Sequence, residues 1–134
     1  MKQYPITGTF LDEVTYDIPA QNWSDEQWTQ DLDNMKAVGI DTVIIMRSVF
    51  YNKCLYPTKT FPTLKEDGED FLGLILREAQ KREMKVYIGL YISNLTWNSG
   101  DYWGEIEKNK IFIDEILALY GDNPAFTGWY IPHE

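Results

Sequence analysis

The sequence predicts an α/β protein in which parallel strands alternate with helices. Four short apolar runs are separated by three segments of helical periodicity, so the predicted order is βαβαβαβ, with four strands and three helices. The second run, TVIIM, is apolar throughout, as is typical of a parallel strand covered on both faces. The segments that lead from strand to helix are long, which favours a site at the carboxyl ends of the strands.

The first helix has a clear start and a clear end. Ser24 is a good N-cap residue, and Gln27 three positions later completes a capping box. Trp23 and Trp28 flank this cap at the spacing of a hydrophobic staple. Gly39 fits the position just beyond the last turn, where a left-handed conformation is common.

The remaining elements follow the same alternation. The four strands are predicted over residues 6–11, 42–46, 85–92 and 127–131, and the third helix over about 105–120. Residues 48–67 and the stretch SNLTWNSGDYWG are predicted to be loops. Core-facing side chains are predicted from the second helix at Phe71, Leu72, Ile75, Leu76 and Ala79, and from the third at Ile106, Ile113, Ile116, Leu117 and Tyr120. No break in composition divides residues 1–134, which we interpret as a single unit.

The composition of the chain argues against several classes of function and partner. The chain has 134 residues, 44% of them hydrophobic and 25% charged, as expected for one globular domain. The net charge of −9 repels phosphate polymers and argues against nucleic acid or anionic membranes as partners. No apolar run is long enough to cross a membrane, and the opening MKQYPITGTF lacks the apolar stretch of a signal peptide. The single cysteine, Cys54, predicts neither an internal disulfide nor a zinc cluster.

The motifs of nucleotide-binding α/β proteins are absent. At the end of the first strand the chain reads GTFLDE, which does not contain GxGxxG, and no GxxxxGK[ST] occurs. A phosphoreceiver domain would need an acceptor Asp after the third strand, where the chain reads YISN, and a fifth strand. We therefore predict no cofactor and no metal site. The remaining candidate is half of a (β/α)8 TIM-type barrel, with four parallel strands and three helices.

In such a half-barrel the residues that follow the strands would meet at one mouth. They are Asp12, Glu13, Arg47, Ser48, Tyr91, Ser93, Asn94, His133 and Glu134. An Arg at the end of a central strand is expected to pair with a carboxylate, such as Glu13 or Glu134. Acidic neighbours at a strand end can equally form a solvated turn.

Aromatic residues are concentrated in the long loops: Tyr16, Phe50, Tyr51, Tyr56, Trp97, Tyr102 and Trp103. They can pack the loops themselves, or they can stack against the C–H faces of sugar rings in a cleft. Trp97 and Trp103 are the best candidates for stacking. His133, the only histidine, cannot form a metal site alone, and it could orient a carboxylate or contact substrate.

Four stretches carry a family resemblance: GTFLDE, IPAQNW, GIDTVIIMRS and YGDNPAFTGWYIPHE. The chain resembles an uncharacterised family of secreted bacterial proteins, a domain of unknown function with a glycoside-hydrolase-like TIM barrel. The resemblance covers the whole chain but only the N-terminal half of that barrel. It implies a carbohydrate partner and an extracellular or periplasmic location. In related barrel glycosidases a Glu at the end of the fourth strand is the general acid/base, usually after Asn; here it would be Glu134, after His133.

The expectation is therefore a fragment of a glycoside hydrolase that is inactive alone. Glu134 is the expected catalytic residue, and substrate binding is expected from Glu13, Arg47, Tyr91, Asn94, Trp97, Trp103 and His133. The alternatives are a non-catalytic carbohydrate-binding module and a self-associating scaffold fragment. Association, with the rest of a barrel or with another copy, is expected through exposed strand edges and through inner apolar side chains. These side chains are expected to include Ile44, Met46, Ile88 and Leu90 or their neighbours.

Overall fold

A computed structural model describes residues 3–14, 23–50, 53–61 and 70–133. Its strands are β1 (Gly8–Leu11), β2 (Thr42–Ile45), β3 (Val49–Phe50), β4 (Lys53–Cys54), β5 (Lys85–Gly89), β6 (Tyr91–Ile92) and β7 (Phe126–Tyr130). Its helices are α1 (Asp25–Ala37), α2 (Phe71–Lys81), α3 (Asn94–Asn98) and α4 (Tyr102–Tyr120). The predicted α/β class is confirmed, and so are the four parallel strands of the main sheet.

The main sheet has the order β1-β2-β5-β7, and all three of its strand pairs are parallel. Each strand lies beside its predecessor in the chain, without the reversal of a doubly wound sheet. Because parallel crossovers are right-handed, consecutive order places the connecting helices on one side of the sheet. The other side is left without helices from these crossovers.

The sheet is curved towards the side without crossover helices. Phe10 on β1 and Tyr130 on β7 meet edge to face, with ring centroids 5.2 Å apart, although these strands form opposite edges of the sheet. In a flat sheet the first and fourth strands would lie about 14 Å apart, with side chains perpendicular to the sheet. The contact therefore requires a concave face.

The two faces of the sheet differ in burial. The convex face is packed against the helices, and Val43, Ile45, Val86 and Ile88 on it are fully buried. On the concave face Phe10 is 50% exposed. Ile44, Tyr87 and Tyr130 are half-buried there. The prediction that Ile88 faces inward is therefore wrong, because its neighbours Tyr87 and Gly89 take the concave positions of the alternating strand.

The ends of α1 are as predicted. The Ser24 side chain accepts from the backbone N–H of Gln27, and the Gln27 side chain accepts from that of Ser24. The rings of Trp23 and Trp28 lie 4.9 Å apart, which confirms the staple. Gly39 has a φ of 91°, in the left-handed region that ends the helix.

The third predicted strand divides into two, and a second sheet forms. β5 remains in the main sheet, whereas β6 pairs with β3 in a three-stranded sheet of order β4-β3-β6. A Cβ at Gly89 would lie 2.3 Å from the carbonyl oxygen of Met46, so only glycine fits this close approach of two backbones. β3 and β4 lie within residues 48–67, and α3 lies within the third predicted loop, so neither segment is purely a loop.

Glu115 on α4 fixes the segment after β4. Its carboxylate accepts from the hydroxyls of Tyr56, Thr58 and Thr60 at 2.6–2.9 Å and from the backbone N–H of Lys59 at 2.9 Å. Burial opposes ionisation, but these hydrogen bonds outweigh it and hold the pKa of Glu115 below its usual range. The loop is thereby attached to the middle of α4.

The inward face of α4 differs in part from the prediction. Ile116 and Tyr120 are buried as expected, but Ile106 and Leu117 are exposed. The face is instead formed by Glu105, Asn109, Phe112, Ile116 and Tyr120. Its two polar members bind the β6–α3 segment, which an apolar side chain could not do.

Candidate functional site

The carboxyl ends of the four main strands lie at one edge of the sheet. In the parallel register Leu11, Ile45, Ile88 and Trp129 are aligned, so the residues that follow them leave the sheet at a common level. The segments after β5 and β7 converge on the first turns of α4, where a compact polar network forms.

Glu105 is the centre of the network and is only 4% exposed. Its Oε1 accepts from the backbone N–H of Ser93 at 2.8 Å, and its Oε2 accepts from the hydroxyl of Thr96. Oε1 also lies 2.9 Å from Nε2 of His133. Glu105 belongs to the first turn of α4, where the helix dipole favours a carboxylate. The carboxylate therefore joins α3, the turn before it and the end of the chain after β7.

The His133 ring is held from two sides. Glu105 contacts its Nε2, and the Trp97 indole meets it edge to face with ring centroids 4.8 Å apart. The side chains of His133 and Glu105 are 11% and 5% exposed. Trp97 in turn packs against Tyr102 at 5.3 Å. A ring with one polar and one aromatic contact in so enclosed a place has a defined orientation.

Asn109 and Lys108 attach the same helix to the chain after β5. The Asn109 amide brackets the backbone of Tyr91, accepting from its N–H at 3.0 Å and donating to its carbonyl at 2.9 Å. Nζ of Lys108 donates to the hydroxyl of Ser93 at 2.8 Å. The residues around Glu105 are thus fixed independently of His133.

A cavity of about 310 Å³ opens beside His133. Its lining is largely apolar and consists of Leu90, Trp97, Tyr102, Glu105, Ile106, Asn109, Ile131 and His133. Two of the residues predicted to bind substrate, Trp97 and His133, therefore share one cavity. A largely apolar pocket with a few polar groups is typical of small-molecule sites.

Arg47 and Ser48 follow β2 and contain polar atoms without hydrogen-bond partners. Arg47 stacks over the Phe50 ring at 4.6 Å, and its Nη2 donates to Sδ of Met46 at 3.4 Å. Nε of Arg47 and Oγ of Ser48 are buried and find no hydrogen-bond partner. Buried donors of this kind are costly unless something binds them. The predicted pairing of Arg47 with Glu134 concerns a residue outside the described part of the chain.

Glu13 lies in a different cavity from His133. It is 4% exposed and lines a space of about 320 Å³ with Trp23, Trp28, Phe71 and others. This cavity lies between the N-terminal ends of α1 and α2, where Asp70 caps α2 and binds the hydroxyl of Tyr120. The sequence predicts one shared site for Glu13 and His133. In the described residues, these two side chains line two separate cavities.

Of the other predicted site residues, the structure describes the side chains of Tyr91 and Trp103. Tyr91 is half-buried against Phe61 at 5.0 Å, and burial raises the pKa of its hydroxyl. Trp103 is 78% exposed at the start of α4. The Asn94 side chain and the whole of Glu134 lie outside the described residues, and their roles stay predictions.

Glu105 and Asn109 are not among the predicted site residues, although the sequence contains a signal for them. Their positions continue the spacing of Phe112, Ile116 and Tyr120 along one helical face. An acidic residue within an otherwise core-facing stripe indicates a buried partner. A face predicted from apolar residues alone is shifted towards Ile106 and Leu117.

The chemistry available at this edge is that of carboxylates, an imidazole and a guanidinium. Within residues 3–14, 23–50, 53–61 and 70–133, no group of three or more His, Cys, Asp or Glu side chains is arranged to hold a metal ion. The helices of the same ranges include none with the length and apolar character needed to span a membrane. The arrangement can transfer protons and bind hydroxyl groups.

The chain is similar to a solved structure and matches one protein family. No curated protein matches the chain. Four chains among the solved structures match it. One, from Bacteroides thetaiotaomicron VPI-5482, is described as a "putative alpha-L-fucosidase"; it is 43% identical with a TM-score of 0.82, over 96% of this chain and 41% of the other. The chain thus spans about two fifths of that structure. A family described as a domain of unknown function, DUF4434, matches residues 6–134, and the chain belongs to this family.

Proposed function

We propose that the chain is the N-terminal part of a (β/α)8-barrel glycoside hydrolase that acts on carbohydrate at the carboxyl ends of its strands. The observation that carries this proposal is the 43% identity to a structure described as a "putative alpha-L-fucosidase". The consecutive strand order and the curvature measured by the Phe10–Tyr130 contact support it. Four strands are half of the eight that such a barrel needs.

Glu134 is the proposed proton donor. His133 is turned towards α4, where Glu105 and Trp97 hold it. Successive side chains of an extended chain point to opposite sides. An extended continuation beyond His133 would therefore direct the following side chain away from α4 and towards the concave face, where a barrel carries its substrate.

The substrate proposed for the first test is an α-L-fucoside. Arg47 and Ser48 offer buried polar atoms without partners at the end of β2. Sugar hydroxyls, or the carboxylate of Glu134, would satisfy them. Trp97 and the exposed Trp103 are proposed as stacking surfaces, with Tyr91 and Asn94 at the margin of the site. Glu13 lines the separate cavity between α1 and α2. The parent protein is proposed to act outside the cytoplasm, as the resemblance implies.

The chain alone is proposed to be inactive. Glycoside hydrolysis uses two carboxyl groups on either side of the scissile bond. The similar structure is more than twice as long as the matched segment. The second carboxylate is expected from that additional length, so the parent protein and not the 134-residue chain is the catalyst.

Two alternatives keep specific support. The exposed rings of Tyr102 and Trp103 would suit a carbohydrate-binding module without turnover. The exposed Phe10 and the strand edges would suit association with a second copy. Glycan binding without hydrolysis by the parent protein would favour the first alternative. A concentration-dependent dimer that binds no glycan would favour the second.

The test is turnover of aryl α-L-fucosides and related aryl glycosides by the parent protein, beside its Glu134→Gln variant and the 134-residue chain. We expect activity in the parent, a loss in the variant and none in the chain. Turnover by the chain alone would contradict the need for further strands. Binding without turnover in the parent would contradict the proposed hydrolysis.

A further inference from the structure

We propose that Glu105 is a positioning residue for the reaction: it fixes the tautomer and orientation of His133 and, through His133, the place of Glu134. This inference rests on the proposed function and adds a residue that neither the resemblance nor the comparisons identify. The evidence is the contact between the buried carboxylate of Glu105 and the imidazole of His133. His133 precedes the proposed acid, Glu134, in the chain.

The carboxylate of Glu105 is held in position by hydrogen bonds that do not involve His133. It accepts hydrogen bonds from the backbone of Ser93 and from the side chain of Thr96, and both partners belong to the segment that follows β6. Its own backbone carbonyl accepts from Nδ2 of Asn109 at 3.1 Å. The carboxylate is therefore fixed in position before His133 is considered.

The tautomer of His133 follows from its contact with Glu105. A carboxylate can only accept hydrogen bonds, so the nitrogen that faces it must carry the hydrogen. Nε2 is that nitrogen, at 2.9 Å from Oε1 of Glu105. Second partners of this kind commonly set which nitrogen of a histidine is protonated. The contact with Glu105 thus points to His133 as an Nε2–H donor.

His133 connects Glu105 to the proposed acid. His133 follows the end of β7 by three residues and adjoins Glu134 in the chain. With its ring held by Glu105 and Trp97, His133 fixes the point from which the chain continues to Glu134. A misplacement of about 1 Å at a catalytic group can cost on the order of 100-fold in rate.

A purely structural role for Glu105 is the competing interpretation. It would predict that loss of Glu105 lowers stability and leaves the residual enzyme with an unchanged turnover number. Glu105→Ala could fail to fold because Ser93 and Thr96 would lose their acceptor. Glu105→Gln keeps the shape and one accepting oxygen, and it replaces the other oxygen and the negative charge by a neutral donor NH2, so it is the informative variant.

The control is Glu107→Gln on the same helix. Glu107 is exposed, and its carboxylate pairs with Lys110 at 2.6 Å, away from His133. Its substitution removes the same charge from the same region of α4. Any effect of net charge or of helix stability should therefore appear in both variants.

The first measurement is ¹⁵N NMR of histidine-labelled 134-residue chain, in which His133 is the only histidine. We expect neutral His133 to be predominantly the Nε2–H tautomer in the wild type and in Glu107→Gln. In Glu105→Gln the amide can accept from or donate to the ring, so a mixture of tautomers is expected. A wild type with the hydrogen on Nδ1, or a Glu105→Gln spectrum identical to the control, would overturn the inference.

The second measurement is steady-state kinetics of the parent protein. Glu105→Gln should lower kcat about 10- to 100-fold with KM changed less than about threefold, while Glu107→Gln keeps wild-type values. A Glu105→Gln enzyme with wild-type kcat, in a protein that Glu134→Gln inactivates, would overturn the positioning role. An inactive wild type would instead refute the proposed function, and the NMR result would then decide alone whether Glu105 sets the tautomer of His133.

Discussion

Removal of the Glu115 carboxylate should destabilise the fold in a pH-dependent way. Glu115 accepts four hydrogen bonds from the segment between Tyr56 and Thr60. Hydrogen bonds to a charged group contribute about 1.5–3 kcal/mol each, and neutral ones about 0.5–1.5 kcal/mol. Two of the four donors belong to exposed residues, so mainly the bonds from Tyr56 and Thr58 should count.

The magnitude follows from those two sheltered bonds. Glu115→Gln replaces charged acceptors by an amide, and we expect a loss of about 1.5 kcal/mol in the free energy of unfolding at pH 7. Glu115→Ala also leaves the buried Tyr56 hydroxyl without its partner, so about 3 kcal/mol is expected. Asp114→Asn, at an exposed neighbour on α4, should change the free energy by less than about 0.5 kcal/mol.

The sign of the pH dependence is fixed by the pKa of Glu115. The hydrogen bonds lower this pKa in the folded state below its ordinary value of 4.5, so the stabilising effect is complete above pH 4.5 and is lost as the pH falls through the lower folded pKa. Urea unfolding of wild type and Glu115→Gln at several values between pH 3 and 7 would measure this. The difference between the two should close at the acid end. A difference that is constant with pH, or below about 0.5 kcal/mol at pH 7, would refute the role given to this carboxylate.

Three further predictions concern the packing. Gly89→Ala should cost at least about 2–3 kcal/mol in urea unfolding because its Cβ would meet a backbone oxygen at 2.3 Å, whereas Gly8→Ala, with contacts of 3.5 Å, should be nearly neutral. Phe112→Ala should cost about 3–5 kcal/mol as a fully buried aromatic on α4, and Leu117→Ala, 48% exposed, less than about 1 kcal/mol; equal losses would contradict the assigned inward face. Cys54 should resist a thiol reagent in the folded protein and react after unfolding, because burial raises the pKa of its thiol to about 12; rapid reaction of the native chain would contradict this burial.

The alternation of strands and helices could be predicted from the sequence because it depends on local patterns. The capping box at Ser24, the staple of Trp23 and Trp28, and the left-handed Gly39 are all determined by neighbours within one or two turns. The parallel main sheet followed from the same alternation and from the apolar second strand.

What the sequence did not predict depends on contacts between distant segments. The pairing of β3 with β6 joins residues about forty positions apart, and the division of the third strand follows from it. The role of Glu105 requires His133, 28 residues later in the chain. Neither the β3–β6 pairing nor the Glu105–His133 contact produces a periodic pattern in the sequence. The polar residues Glu105 and Asn109 also interrupt the apolar pattern from which the inward face of α4 is predicted.

The central claim, that Glu134 is the proton donor of a glycosidase, is tested most directly by the leaving-group dependence of its Gln variant in the parent protein. A general acid matters most when the departing oxygen is a poor leaving group, as in an oligosaccharide. The kcat/KM of Glu134→Gln should fall by about 10²–10⁴-fold on a fucosylated oligosaccharide. It should fall far less on a dinitrophenyl fucoside, whose leaving group needs no proton. Equal losses on both substrates, or wild-type turnover of the oligosaccharide, would contradict the assignment of Glu134.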